Sequence, residues 1–224
     1  MSGARRPWPA TVGLLVAGWA IVAGIVLGWG WLLTHPLEGS IGAVDDDTAR
    51  WLAAERTAAL TDAAEVGTLL GETVVGAVVV ILAAVAVAVW RRTWLPVVFV
   101  VLVEAGLGGI YWLGTHLVPR LRPPVEVLDQ GLVPDHSFPS GHTGTSMAIF
   151  LALAFLAWTY TRAARGWALL LTVVPLACVS ARLYQGAHHL SDVLTTVAYA
   201  TAWITLVAWL VLGREGAGAG PRPG

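Results

Sequence analysis

Eleven residues, Arg182-Leu-Tyr-Gln-Gly-Ala-His-His-Leu-Ser-Asp192, place an arginine, two histidines and an aspartate between two long apolar runs. A helix beginning near His188 would carry Asp192 one turn further along the same face, where its carboxylate can hold one ring nitrogen of His188. The other nitrogen is then unprotonated and directed outward, the state required of a nucleophile or general base. Arg182 adds a permanent cation. A capped helix start with an i,i+4 His–Asp pair would use the same residues, so the decision rests on neighbouring stretches.

Two such stretches exist. Gly114-Thr-His-Leu-Val-Pro-Arg-Leu-Arg-Pro123 sets Arg120 and Arg122 beside prolines that stop a helix and stiffen the turn, forming a cationic ledge. Phe138-Pro-Ser-Gly-His-Thr143 leads directly into an apolar run. There Ser140 is placed to cap a helix, Gly141 allows close approach to the backbone, and His142 stands among the first N–H groups, which favour an anion. Guanidinium forks and backbone N–H groups suit the equatorial oxygens of a phosphoryl group, and two imidazoles suit attack and proton transfer. No Walker loop is present, and no His/Cys/Asp cluster has zinc-site spacing.

The elements that must position these groups are membrane spans. The chain is 57% hydrophobic and 12% charged, about half the charge of an average soluble domain. Six runs, at about 10–33, 73–90, 94–117, 142–160, 167–184 and 189–212, are long and apolar enough to cross a hydrocarbon core. The fold expected is an all-α, six-transmembrane helical bundle. Residues 1–9 form an N-terminal lead, 10–212 a single membrane domain and 213–224 a disordered tail. Arg5, Arg6, Arg91, Arg92, Arg162, Arg165, Arg214 and Arg222 all fall on one side of a six-pass chain, which makes that side and both termini cytoplasmic. All six histidines then face outward, and the candidate site is external, built from 115–142 and 182–192. The first run is longer than a secretory signal core and is read as a retained span. With arginine as the only basic side chain besides histidine and abundant Gly and Ala, the composition suits a GC-rich bacterium.

The external segment 34–72 is acidic, and Asp45-Asp46-Asp47-Thr48 reads as the start of a short amphipathic helix at the membrane surface, with Trp51, Leu52 and Ala59 on one face. It serves as a solvated connector or as a lid. Glu104, inside the third span, is placed in its inner half and far from the external cluster, as a structural hydrogen-bonding group or neutral acid. Cys178 is a buried hydrophobe, alone in the chain and so without an intramolecular disulfide. His189 is assigned to packing, and for His136 a place at the site entrance is weighed only as the lesser alternative to having no role in the site.

The order Arg122-Pro123, Pro139-Ser140-Gly141-His142, Arg182-x5-His188-x3-Asp192 resembles the type 2 phosphatidic acid phosphatase family, in the superfamily that also holds vanadium haloperoxidases. The resemblance implies that His188 attacks phosphorus to form a phosphohistidine, with Asp192 orienting it. It implies that His142 protonates the leaving group and then activates water, and that Arg122, Arg182, Ser140 and Gly141 cradle the phosphate without a metal or other cofactor. The family's first-motif lysine is replaced here by Thr115, and the serine before the third-motif arginine by Ala181, with Ser180 one step earlier. Arg120 or His116 is the expected compensation for the lost charge. The implied substrate is a lipid phosphate or pyrophosphate: polyprenyl pyrophosphate, phosphatidic acid or phosphatidylglycerol phosphate. The partners are membrane lipids and not nucleic acid. A lipid phosphotransferase and a non-hydrolytic lipid or anion transporter, the latter using Glu104 as a coupling group, are the alternatives.

Overall fold

The computed structural model describes residues 6–216. The expectations for residues 1–5 and 217–224 lie outside the described residues. Six membrane-length helical spans are present: Trp8–Thr34, Thr73–Arg91, Leu95–Leu117, Gly141–Tyr160, Arg162–Tyr184 and Leu190–Leu212. They lie within a residue or a few of the boundaries expected from hydropathy. The helices are α1 (Trp8–Thr34), α2 (Ala43–Ala54), α3 (Ala58–Leu69), α4 (Thr73–Arg91), α5 (Leu95–Leu117), α6 (Gly141–Tyr160), α7 (Arg165–Leu171), α8 (Pro175–Tyr184), α9 (Leu190–Val207) and α10 (Gly213–Gly216). The last of these shows that the expected disordered tail begins as a helical turn.

Proline stands in the first turn of α1, α5 and α8, where its missing N–H has no helical partner to lose. The fifth span is not continuous. It breaks between α7 and α8 because Pro175 cannot donate to the carbonyl four residues back and its ring crowds that oxygen. The π-type turn Glu38–Gly42 joins α1 to α2.

α6 is the central helix, with 61% of its span buried against 22% for α1 and for α4. Lipid cannot drive one apolar helix onto another, so close packing and hydrogen bonds must. Both are visible where α5 meets α1 and α9. The Trp19 indole donates to the Gly106 carbonyl at 2.9 Å, and the Trp203 indole to the Leu102 carbonyl at 3.1 Å. A Cβ on Gly106 would lie 2.2 Å from Trp203 Nε1.

The expected surface helix is in fact two. α2 carries the aspartates in its first turns, with Trp51 exposed, while Ala59 belongs to α3. α3 packs on α8 through Gly67, where a Cβ would sit 2.9 Å from Ala181 Cβ. The chain alternates across the bundle, so 35–72, 118–140 and 185–189 gather at one end. At the other, Arg6 stacks on Trp209, Arg91 on Trp90, Arg165 on Trp158 and Arg214 on Trp8.

Gly106→Val forces a branched side chain against the Trp203 ring. We expect a loss of about 1–3 kcal/mol, read as a lower Tm of the detergent-solubilised protein, whereas Gly108→Ala, with open space around its Cβ, leaves Tm unchanged.

Candidate active site

The segment after α5 folds back on itself across the mouth of the bundle. Arg120 N–H donates to the Asp135 carbonyl at 2.9 Å, Arg122 N–H to that of Pro134 at 3.1 Å and Ser137 N–H to that of Arg120 at 3.1 Å. This pairing lays Arg120, Arg122 and Ser137 beside the start of α9. The arginines then diverge. Arg122 donates from its guanidinium to the carbonyls of Val133, His136 and Ala187, the last adjoining His188. Arg120 turns to Asp45 and Asp192.

Arg182, at the end of α8, is fully buried. Its Nη1 donates to Asp129 at 2.7 Å and to Gln185 at 2.9 Å. Its Nε and Nη2 are buried without any hydrogen-bond partner. Unpaired buried donors of a cation are costly, and a bound anion is the partner that satisfies both number and charge. Burial, followed by the charge of Arg182, lowers the Arg122 pKa, so the two cations repel one another.

The turn after α8 reverses at Gly186, with φ +68, against Val125 and the Glu126 carbonyl, a conformation and clearance that favour glycine. His188 follows, 4% exposed. Its Nδ1 lies 2.7 Å from the Ser137 carbonyl oxygen. A carbonyl only accepts, so the proton is on Nδ1 and Nε2 carries a free lone pair. Burial drives the His188 pKa down to about 3, opposed by Asp192 and assisted by Arg182 and Arg122.

The orienting partner therefore differs from the expected one. His189 is extended (φ −73, ψ 159) and α9 starts only at Leu190, so Asp192 faces His189 rather than His188. The Asp192 carboxylate accepts from the His189 backbone N–H at 2.9 Å and from Ser137 Oγ at 2.6 Å, lies 3.2 Å from His189 Nδ1, and pairs with Arg120. Its link to His188 runs through Ser137, whose hydroxyl meets Asp192 and whose carbonyl meets His188. His189, expected only to pack, also lies 3.4 Å from Asp46 through Nε2.

At the start of α6, Ser140 is the N-cap residue but does not cap with its side chain. Its Oγ donates instead to Thr143 Oγ1 at 2.9 Å, and its backbone N–H to Thr196 Oγ1 at 3.0 Å. The next N–H groups, at Gly141 and His142, have no helical acceptor and carry the positive end of the helix dipole. Gly71 lets the loop before α4 press on this turn, since a Cβ there would fall 2.5 Å from the His142 carbonyl. His142 feels the charges of both Arg182 and Arg122, as does His188.

Three expected phosphate ligands are engaged elsewhere. Thr115 Oγ1 donates back to the Tyr111 and Trp112 carbonyls at 3.1 Å, as a short hydroxyl in a helix readily does. His116 stacks on Trp112 and holds that residue's carbonyl at 2.8 Å through Nδ1, with the His136 ring 5.8 Å away. Arg120 is tied to Asp192 and Ser191 through Nη1 and to Asp45 through Nη2 at 2.8 Å. Burial lowers its pKa, but the two carboxylates more than offset this and hold it above its ordinary value. Its charge is thus met by two carboxylates of the protein itself.

Asp45 is the residue that sequence reasoning missed. It is 2% exposed and accepts from Ser191 N–H at 3.0 Å and Ser191 Oγ at 2.5 Å besides Arg120. The external segment is thus bolted to the site and is neither a free connector nor a loose lid. Asp129 and Ser137 were also missed as partners. No signal in spacing singles them out, because they come from loops whose path the sequence does not reveal.

Below His142 a cavity of about 240 Å³ descends between α4, α5, α6 and α9. Glu104 lines it, which corrects the expectation that this carboxyl lies far from the cluster. A wider apolar groove of about 610 Å³ between α1 and α9 holds none of the candidate histidines or arginines.

The six-span fold has a counterpart among known proteins. The model of the PAP2 superfamily matches residues 93–215. The structure is similar to the crystal structure of a transmembrane PAP2 type phosphatidylglycerolphosphate phosphatase from Bacillus subtilis, with a TM-score of 0.66 and 19% identity, covering 95% of this chain and 98% of that one. No curated protein matches the chain.

Two outcomes follow from the buried charges. Arg120→Ala and Asp45→Ala should each cost about 3–5 kcal/mol in unfolding measurements, and the double variant clearly less than the sum; additive losses would show that the pair is not coupled. The His188 ring stays neutral down to about pH 3 when folded, whereas an unfolded imidazole takes a proton near 6.5. Stability is therefore full above about 6.5 and falls as pH drops toward 3, and His188→Asn should flatten that part of a Tm–pH profile.

Proposed function

Because the chain belongs to the PAP2 superfamily, we propose that it is an integral-membrane lipid phosphatase in which His188 is the nucleophile. The observation that carries this reading is the buried Arg182 guanidinium, two of whose nitrogens meet no partner among the described residues, and whose charge acts on Arg122, His142 and His188. In the mechanism proposed, Nε2 of His188 attacks phosphorus while the bond from phosphorus to the lipid oxygen breaks. His142, which can hold a proton once the anionic phosphate offsets the two arginines, gives that proton to the leaving oxygen. Arg182 Nε and Nη2, a remaining N–H of Arg122 and the N–H groups of Gly141 and His142 hold the non-bridging oxygens. Water then attacks the phosphohistidine, His142 takes the proton, and inorganic phosphate leaves. Asp192, acting through Ser137, keeps the His188 proton on Nδ1 and favours the positive charge the ring acquires.

The reading places the site on the external face, both termini in the cytoplasm and the tail of the substrate in the bilayer. Support comes from the cluster of Arg6, Arg91, Arg165 and Arg214 at the opposite end, as the positive-inside rule requires. The proposed chemistry uses no metal.

Purified protein should release phosphate from phosphatidic acid, phosphatidylglycerol phosphate or a polyprenyl pyrophosphate, undiminished by EDTA. His188→Ala should lower kcat by at least about 10³-fold, as loss of a nucleophile does. Quenching during turnover should trap an acid-labile, alkali-stable phosphoprotein that this variant lacks. Label passing to an added lipid alcohol in place of water would instead favour a transferase, and binding without turnover a transporter.

A further inference from the structure

The cavity beneath His142 contains a group that the proposed mechanism does not use. Glu104 sits on its wall with Oε1 buried and without a hydrogen-bond partner. Leaving a buried polar atom unmatched is costly, and an apolar side chain at this point in a span would carry no such penalty. The other polar groups on the wall do not satisfy it. Thr73 and Thr145 face one another at 3.2 Å. Apart from His142 no basic side chain lines the cavity. An ionised carboxylate without a cation is costly within a bilayer, so the group serves as an uncharged acid whose O–H can donate.

Its depth is defined by α5. Tyr111 touches the start of α6, where a Cβ on Gly141 would meet the Tyr111 ring at 3.0 Å. Glu104 lies seven residues before Tyr111, about 10 Å further into the membrane at 1.5 Å per residue. Between the two levels Gly108 leaves open space, with nothing within 4 Å of a Cβ built there. A lipid whose phosphate rests at His142 would therefore pass its first few bonds through this space and reach Glu104 with whatever follows.

We propose that Glu104 is a subsite for an uncharged oxygen of the substrate, the ester carbonyl of a diacylglycerol phosphate, and that it selects such monoesters over polyprenyl phosphates. This rests on the lipid phosphatase reading. A glycerolipid carries its ester carbonyls a few bonds beyond the phosphoryl oxygen. A polyprenyl chain carries only hydrocarbon there and would leave the acid unmatched. A substrate with a second phosphate next to the first would bring an anion into a cavity that has a carboxyl and no guanidinium on its wall.

The test compares phosphate release by the full chain from diacyl phosphatidic acid, its dialkyl ether analogue and a polyprenyl pyrophosphate. Losing one hydrogen bond of about 1.4 kcal/mol is a tenfold effect. The wild type should therefore prefer the diacyl ester to the ether by about tenfold in kcat/KM, and both to the polyprenyl substrate. Glu104→Leu should bring the ester-to-ether ratio close to one, and Glu104→Gln, which keeps a donor, should retain most of it. A wild-type ratio near one, or fastest turnover of the polyprenyl substrate, overturns the proposal even if no variant folds. An equal loss on ester and ether in Glu104→Leu also overturns it. Release from none of the three overturns the subsite, and release from none of them nor from phosphatidylglycerol phosphate overturns the phosphatase reading as well.

Discussion

A guanidinium with no exposed surface and two nitrogens that nothing among the described residues meets is the constraint around which the rest of this structure is arranged. Asp129 meets only one of the Arg182 nitrogens. Burial, and after it the charge of Arg182, lowers the affinity of Arg122 for its proton. A buried cation with a like charge acting on it favours an anion at its unmet donors. The N-terminal turn of α6 and the lone pair of His188 belong to the same cluster. Every loop at that end of the bundle can be understood as a means of holding these cations in place: the folded-back segment 118–138, the glycine turn at Gly186 and the docked helix α2.

The acidic residues divide into two layers with different tasks. Asp129 meets Arg182 directly, whereas Asp45 and Asp192 meet Arg120. The second pair holds the frame. It ties the external segment to the start of α9 and, through the hydroxyl and carbonyl of Ser137, reaches His188 without touching it. A carboxylate bonded directly to His188 would also raise its proton affinity. The neutral carbonyl of Ser137 fixes the tautomer while allowing burial to keep Nε2 unprotonated.

The spans and the identity of the clustered histidines and arginines were legible in the sequence because they rest on long apolar runs and on motifs of fixed spacing. The details that failed depend on single backbone steps. His189 takes an extended conformation, so α9 begins one position too late for Asp192 to pair with His188. Three consecutive aspartates read as one feature of a helix start, yet Asp45 is buried and Asp47 lies on the surface. Arg120 and Arg122 look equivalent by spacing, but only contacts distant in the chain show that one meets carboxylates and the other carbonyls. Glu104 was misplaced because hydropathy locates a residue along a span and says nothing of a cavity descending to it.

The central claim is that Arg182, Arg122, the α6 N-terminus and His188 converge on one phosphoryl group. A structure of the protein with orthovanadate, which takes up the five-coordinate geometry of phosphoryl transfer, tests it most directly. The account predicts vanadium within bonding reach of His188 Nε2, with its oxygens on Arg182 Nε and Nη2 and on the first N–H groups of α6. Vanadate bound at His189, or elsewhere with Arg182 left unmatched, would contradict it.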